Sequence, residues 1–192
     1  MKKTKKNFNI VIVGYGGQGV LTLAEIIAKA AFKEGYDVKQ TEIHGLAQRG
    51  GTLQCHVRFG PSVYSPLVSA GCADLIISLE AAEALRACFY ANKKTSILLN
   101  SKIFRYTLDI KQVLSKIKKY SKKLYVVDAD KKTKKLTGNI DMVNSYLLAI
   151  AVKKGLLPLG KKVIWEALEE RIHPIFLEKN KKIFDSLFGR QL

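Results

Sequence analysis

The 192-residue chain is long enough for one sizeable core and short for two, and a composition 47% hydrophobic and 26% charged with only four prolines excludes extensive disorder. Its formal charge of +17 points to an anionic partner, but 27 of the 33 basic residues are lysines, which favours an acidic protein or an anionic cofactor over base-reading contact with nucleic acid. Cys55, Cys72 and Cys88 form no C-x-x-C pair, and no apolar run reaches membrane-spanning length. The expectation is therefore a reduced cytoplasmic protein with no metal cluster of its own and no membrane span.

Residues 1–7 read as a flexible basic tail. Phe8–Val13 is an apolar, β-branched run, hence a first strand, and it opens directly into Gly14-Tyr15-Gly16-Gly17-Gln18-Gly19. Leu21, Ala24, Ile27, Ala28 and Ala31 then recur at helical spacing, predicting a helix over 17–34 that Gly35 ends. Strand, glycine loop and helix in this order open a nucleotide-binding βαβ unit. Gly14 suits the tight turn, Gly16 a close backbone approach to pyrophosphate, and Gly19 close packing of helix on strand; Gly17 and Gln18 lie in the same loop. The first N–H groups of the helix have no intrahelical partner and carry the positive end of its dipole, so phosphate is the expected guest.

Asp37–Glu42 predicts the second strand, completing the βαβ unit. Glu42, 23 residues after Gly19, stands where NAD-binding folds place the acid for the ribose. The stretch from Glu42 to Gly51 is polar and glycine-punctuated, a loop where a crossover helix would be usual. Thr52–Phe59 alternates strictly, with Leu53, Cys55, Val57 and Phe59 on one face and Thr52, Gln54, His56 and Arg58 on the other, which predicts a half-exposed antiparallel strand.

After a Gly/Pro/Ser loop over 60–71, Ala73–Leu79 has the continuous apolarity of a buried parallel strand, followed by a helix over 80–90. Glu80 thereby sits at the carboxyl end of a central strand, where doubly wound sheets bind ligands. Ser96–Asn100 and Leu124–Asp128 predict two more strands with an amphipathic helix over 109–120 between them, and Lys131–Lys135 reads as a solvated loop. Asn139 or Asp141 would cap a helix whose apolar stripe runs from Met142 to Ala151 and stops at Gly155. Helices over 161–171 and 174–188 make residues 156–192 a helical extension. The fold class expected is α/β: a Rossmann-like, doubly wound, mostly parallel sheet with one antiparallel strand and C-terminal helices, in a single domain spanning 1–192.

The chemistry is sparse. His44, His56 and His173 join no Ser/His/Asp arrangement or metal-ligand spacing, no paired carboxylate stands out, and His56 reads as structural before it reads as a general base. No catalytic residue is assigned. A self-sufficient NAD(P)-dependent oxidoreductase and a non-catalytic nucleotide-binding module both stay open on these grounds, beside a subunit that works only with a partner.

The glycine loop, taken with His44-Gly45-Leu46-Ala47-Gln48-Arg49-Gly50-Gly51 and the strand Cys55-His56-Val57-Arg58, resembles the gamma subunits and domains of the 2-oxoacid:ferredoxin oxidoreductases. Within that family it is similar to the small (beta) subunit of the indolepyruvate type. The resemblance implies a subunit of an enzyme that oxidatively decarboxylates an aryl 2-oxoacid to its acyl-CoA while reducing ferredoxin. It implies further that thiamine diphosphate and the iron–sulfur clusters belong to a large partner subunit, with no nucleic acid and no membrane involved. By position in the motifs, Gly14 to Gly19 would contact CoA phosphates, Arg49 and Arg58 would serve the same anion or a partner carboxylate, and His44, Gln48, Gly50, Gly51 and His56 would form the subunit interface. Glu80 joins the ligand side on its place in the sheet.

Overall fold

The computed structural model describes residues 6–45, 51–104 and 107–189. Among them, β1 (Phe8–Tyr15), β2 (Asp37–His44), β3 (Thr52–Gly60), β4 (Leu75–Ser78), β5 (Ser96–Asn100) and β6 (Lys123–Val127) make one sheet in the order β2-β3-β1-β4-β5-β6. The helices are α1 (Val20–Lys33), α2 (Ala81–Ala87), α3 (Ile110–Ile117), α4 (Ala129–Thr137), α5 (Val143–Lys153), α6 (Lys161–Arg171) and α7 (Leu177–Phe188).

Alternation along β1 divides the molecule. Ile10 and Ile12 enter a core shared with α1, α5, α6 and α7, whereas Val11 and Val13 enter a second core under α2 and α3. The chain from β1 thus leaves over one face of the sheet and the chain from β4 over the other, and the strands diverge between β1 and β4. A crevice opens at their carboxyl ends, as it must wherever a doubly wound sheet reverses.

Two expectations change here. β2 does not lie beside β1, because β3 is inserted between them, antiparallel to both, with Tyr15 paired to Thr52 and His44 to Leu53. A strand with both edges hydrogen-bonded is interior, so β3 is not half-exposed: Leu53, Cys55, Val57 and Phe59 fill the α1 core, and His56 on the opposite face is 1% exposed. The loop that follows β3 covers that face, and strict alternation cannot distinguish a solvent-facing polar row from one that is later roofed.

The lysine run expected as a loop is α4. Asp128 caps it by accepting from the Lys131 amide at 3.1 Å, Gly138 closes it at φ 85°, and it buries only Ala129 and Thr133, so its apolar signal is nearly nil. In contrast, α5 buries every residue from Val143 to Ala151 and is central, without a polar side. Neither Asn139 nor Asp141 caps it, and their side chains bond each other at 2.6 Å. Residues 157–184 contribute Leu157, Leu159, Ile164, Leu168, Ile183 and Phe184 to the same core as β1, each such burial contributing about 1.5–3 kcal/mol.

Candidate functional site

The glycine loop is stapled to itself. Gln18 donates its amide to the Tyr15 carbonyl at 3.1 Å, and its side-chain Oε1 accepts from the Tyr15 amide at 2.8 Å. Gly14 has its place because a Cβ there would stand 2.7 Å from Gln18 Oε1 and 2.9 Å from a Val20 methyl. Gly17 and Gly19 adopt φ of 92° and 81°, conformations that glycine alone enters cheaply. Gly16 departs from expectation: its amide donates to the Gly51 carbonyl at 3.0 Å, tying the loop to the start of β3. What the loop leaves for a ligand is the first turn of α1, which has no capping side chain and no acid in it.

Two recesses flank this turn and share Gly17, Gln18 and Asp141. One, of 240 Å³, is walled by Leu79, Phe104, Asp130, Ile140 and Val143. The other, of 390 Å³, lies toward α6 and includes Thr22, Asn144, Ser145, Arg171 and His173. Asn144, on α5, donates its side-chain amide to the Gly19 carbonyl at 3.3 Å and so fixes α5 against the loop.

Buried polar side chains shape the first recess. Glu80, fully buried, accepts from the Glu83 amide at 2.9 Å as the cap of α2 and from the Phe104 amide at 3.1 Å. Its carboxylate therefore holds the segment after β5, and Phe104 with it, in place of touching a ligand. Asn100, at the carboxyl end of β5 and fully buried, donates to the Leu79 carbonyl at 3.1 Å and to Asp130 Oδ1 at 2.7 Å, and accepts from the Ala129 amide at 3.0 Å. One side chain thus joins β4, β5 and α4. The residues missed in the sequence are Asn100, Phe104, Asp130 and the ligand-facing role of Asp141. Asn100 was within reach of the rule that singled out Glu80, since it too is the first polar residue after a buried apolar strand.

Other predicted residues are dispersed. Arg58 is paired in register with Asn9, six residues before Tyr15 and so roughly 20 Å from the loop along β1. Its guanidinium donates to Asn9 Oδ1 at 2.8 Å and to the Ser65 and Leu67 carbonyls at 2.8 and 3.1 Å, so it pins the covering loop at the far end of the sheet. His44 is exposed, 3.0 Å from Glu42. Glu42 pairs with Cys55 on β3, which in turn pairs with Ile12, so the acid required by an NAD ribose stands two strands from β1. Gly51 meets the glycine loop as described, and Gln48, Arg49 and Gly50 lie outside the described residues. Among the described residues no three His, Cys, Asp or Glu side chains come together as a metal site, and burial pushes the Cys55 and Cys88 thiols up to about 12 and about 11.

His56 belongs to the scaffold and not to an exposed interface. Its Nδ1 accepts from the Val68 amide at 3.0 Å, its Nε2 lies 2.7 Å from the Gln54 amide group, and its ring meets Tyr90 edge-on at 4.9 Å. With Nδ1 accepting, a neutral ring carries its proton on Nε2, and the Gln54 amide is best turned to present oxygen to it. Burial, assisted by the Arg58 charge, pushes the His56 pKa down to about 4. The folded state therefore stays neutral while the unfolded state protonates, so stability present above pH 6.5 is lost as pH falls toward 4. Between pH 7 and 4.5 the loss from this group is about 2 kcal/mol. His56→Asn keeps an acceptor for Val68 without the titration, so the drop in unfolding free energy over that range should shrink by this amount. An unchanged slope would show that His56 is not the titrating group.

A Rossmann-like sheet with an uncapped helix at its switch point, and no nucleophile–base pair beside it, defines a ligand-holding chain of a larger enzyme. The family model for pyruvate ferredoxin/flavodoxin oxidoreductase matches residues 9–188, and the chain belongs to that family. Indolepyruvate oxidoreductase subunit IorB of Archaeoglobus fulgidus is 35% identical over 91% of this chain and 90% of its own length. The pyruvate/ketoisovalerate oxidoreductases common subunit gamma of Thermococcus kodakarensis is 28% identical over 92% and 93%. Among solved structures, the keto/oxoacid ferredoxin oxidoreductase gamma subunit of Geobacter sulfurreducens shares the fold with a TM-score of 0.68 at 20% identity, covering 95% of this chain and 97% of that one. No helix among the described residues is long and apolar enough to cross a membrane.

Proposed function

We propose that this chain is the small, non-thiamine-binding subunit of a cytoplasmic 2-oxoacid:ferredoxin oxidoreductase of the indolepyruvate type. The complex oxidises a 2-oxoacid to CO2 and acyl-CoA and passes the electrons to ferredoxin. Supporting the reading is similarity to an indolepyruvate oxidoreductase subunit along nine-tenths of both chains. Thiamine diphosphate and the clusters, on the large partner, supply carbanion stabilisation and electron transfer, and this chain supplies positioning and electrostatics.

CoA fits the glycine loop as the ligand better than NAD does. The open first turn of α1 offers amides to a phosphate, and Arg171 and His173 stand in the adjoining recess. The ribose acid of a dinucleotide site, by contrast, is displaced by β3. The test is purification of the native protein: a complex with a large subunit carrying thiamine diphosphate and iron is expected, with turnover of an aryl 2-oxoacid that depends on CoA and ferredoxin. Isolation as a lone polypeptide would refute the assignment.

A further inference from the structure

We propose that the recess walled by Leu79, Phe104 and Ile140 receives a neutral planar ring bearing N–H donors, the purine base of the nucleotide whose phosphates rest on the glycine loop. The inference rests on the phosphate reading of that loop given above, and it assigns to the ligand a direction across the loop.

The argument is a change of character between the two recesses. On the α6 side stand Thr22, Arg171 and His173, with the uncapped turn of α1 between. On the other side the only charged side chains lining the recess are Asp130 and Asp141, which repel phosphate. Each carboxylate has one oxygen engaged, Asp130 Oδ1 by Asn100 at 2.7 Å and Asp141 Oδ2 by Asn139 at 2.6 Å. Among the described residues the second oxygen of each meets no donor, so the recess presents acceptors that only an N–H or O–H group satisfies.

Size and walls narrow the occupant further. A volume of 240 Å³ lies below the roughly 300 Å³ at which pockets begin to enclose drug-sized ligands, so it holds a ring and not a whole nucleotide. Its rim carries two large apolar side chains left in water, Phe104 at 46% and Ile140 at 44% exposure, a placement explained if a flat apolar face covers them. Lys102 places its ammonium 5.8 Å from the Phe104 ring centroid. The walls are also held in advance, Phe104 by buried Glu80 and Asp130 by buried Asn100, so a ring meets ordered groups.

Calorimetric titration of the assembled enzyme with ADP, the analogous diphosphate of purine riboside lacking the exocyclic amine, and inorganic pyrophosphate tests this. ADP should bind at least tenfold tighter than pyrophosphate and several-fold tighter than the amine-free analogue. Phe104→Ala should weaken ADP about tenfold, and Asp141→Asn should erase the preference for the amine, both leaving pyrophosphate unchanged. Equal affinity for ADP and pyrophosphate in the wild type overturns the ring site while sparing the phosphate site. ADP binding that neither variant alters overturns it as well, because the ring then lies elsewhere. If pyrophosphate and ADP both fail to bind, the phosphate reading and the ring site fall together.

Discussion

Gly19→Ala is expected to lower stability by about 4 kcal/mol, which for a chain of this length is a fall in melting temperature of roughly 10 °C. Two independent terms contribute. At φ 81° an L side chain costs about 1–2 kcal/mol from the backbone alone. The added Cβ would also stand 2.3 Å from Asn144 Nδ2 and 3.0 Å from Asn144 Cγ, on a helix whose surroundings are too well packed to recede. Gly17→Ala separates the two: its φ is 92° but nothing lies within 4 Å of its Cβ, so only the backbone cost of about 1–2 kcal/mol remains. Thermal melts of both variants decide the matter, and equal losses would mean that the Asn144 contact is not what makes position 19 glycine. The consequence for function is direct, since the Asn144 side chain holds α5 against the turn that faces the ligand.

The contrast between these glycines also marks what the sequence could and could not disclose. Strand, loop and helix over 8–34 were legible because two periodicities meet at a glycine cluster. Gly19 was even assigned its packing role, although the partner is α5, 125 residues away, and not the strand. Gly16 was assigned to pyrophosphate because nothing local shows that its amide is taken by Gly51. The same blindness to distant partners accounts for Arg58: the motif puts it close to the loop in sequence, but antiparallel pairing carries it to the other end of β1. Glu80 was correctly placed at a strand's carboxyl end, and the error lay in its task, since burial turns a carboxylate into a cap for amides. α4 escaped because a helix stabilised by its ends and by two small buried residues has almost no apolar pattern to read. Asp130, near the start of that helix, was lost with it.

Asn100→Asp is the substitution that should strike the crevice hardest. The change is nearly isosteric, yet it removes the donor that serves Leu79 and sets a second carboxylate against Asp130 Oδ1, 2.7 Å away in the wild type. Position 100 is fully buried, so the new charge has neither solvent nor a cation to compensate it, and the expected loss at pH 7 is about 4 kcal/mol. Burial and the neighbouring charge both raise the pKa of a carboxyl placed there above its unfolded value. The penalty is therefore largest at neutral pH and shrinks as pH falls through the folded pKa, where protonation restores a donor to Asp130. Asn100→Ala loses the same three hydrogen bonds without gaining a charge, and its cost of about 3 kcal/mol should not vary with pH. Urea unfolding of wild type and both variants at pH 7 and pH 5 reads this out as differences from wild type, which cancels the His56 contribution that all three share. Should the aspartate variant lose no more than the alanine variant at pH 7, or show no recovery at pH 5 relative to wild type, Asn100 is not the buried donor that sets the geometry of Asp130. The purine site would then lose one of its two fixed walls.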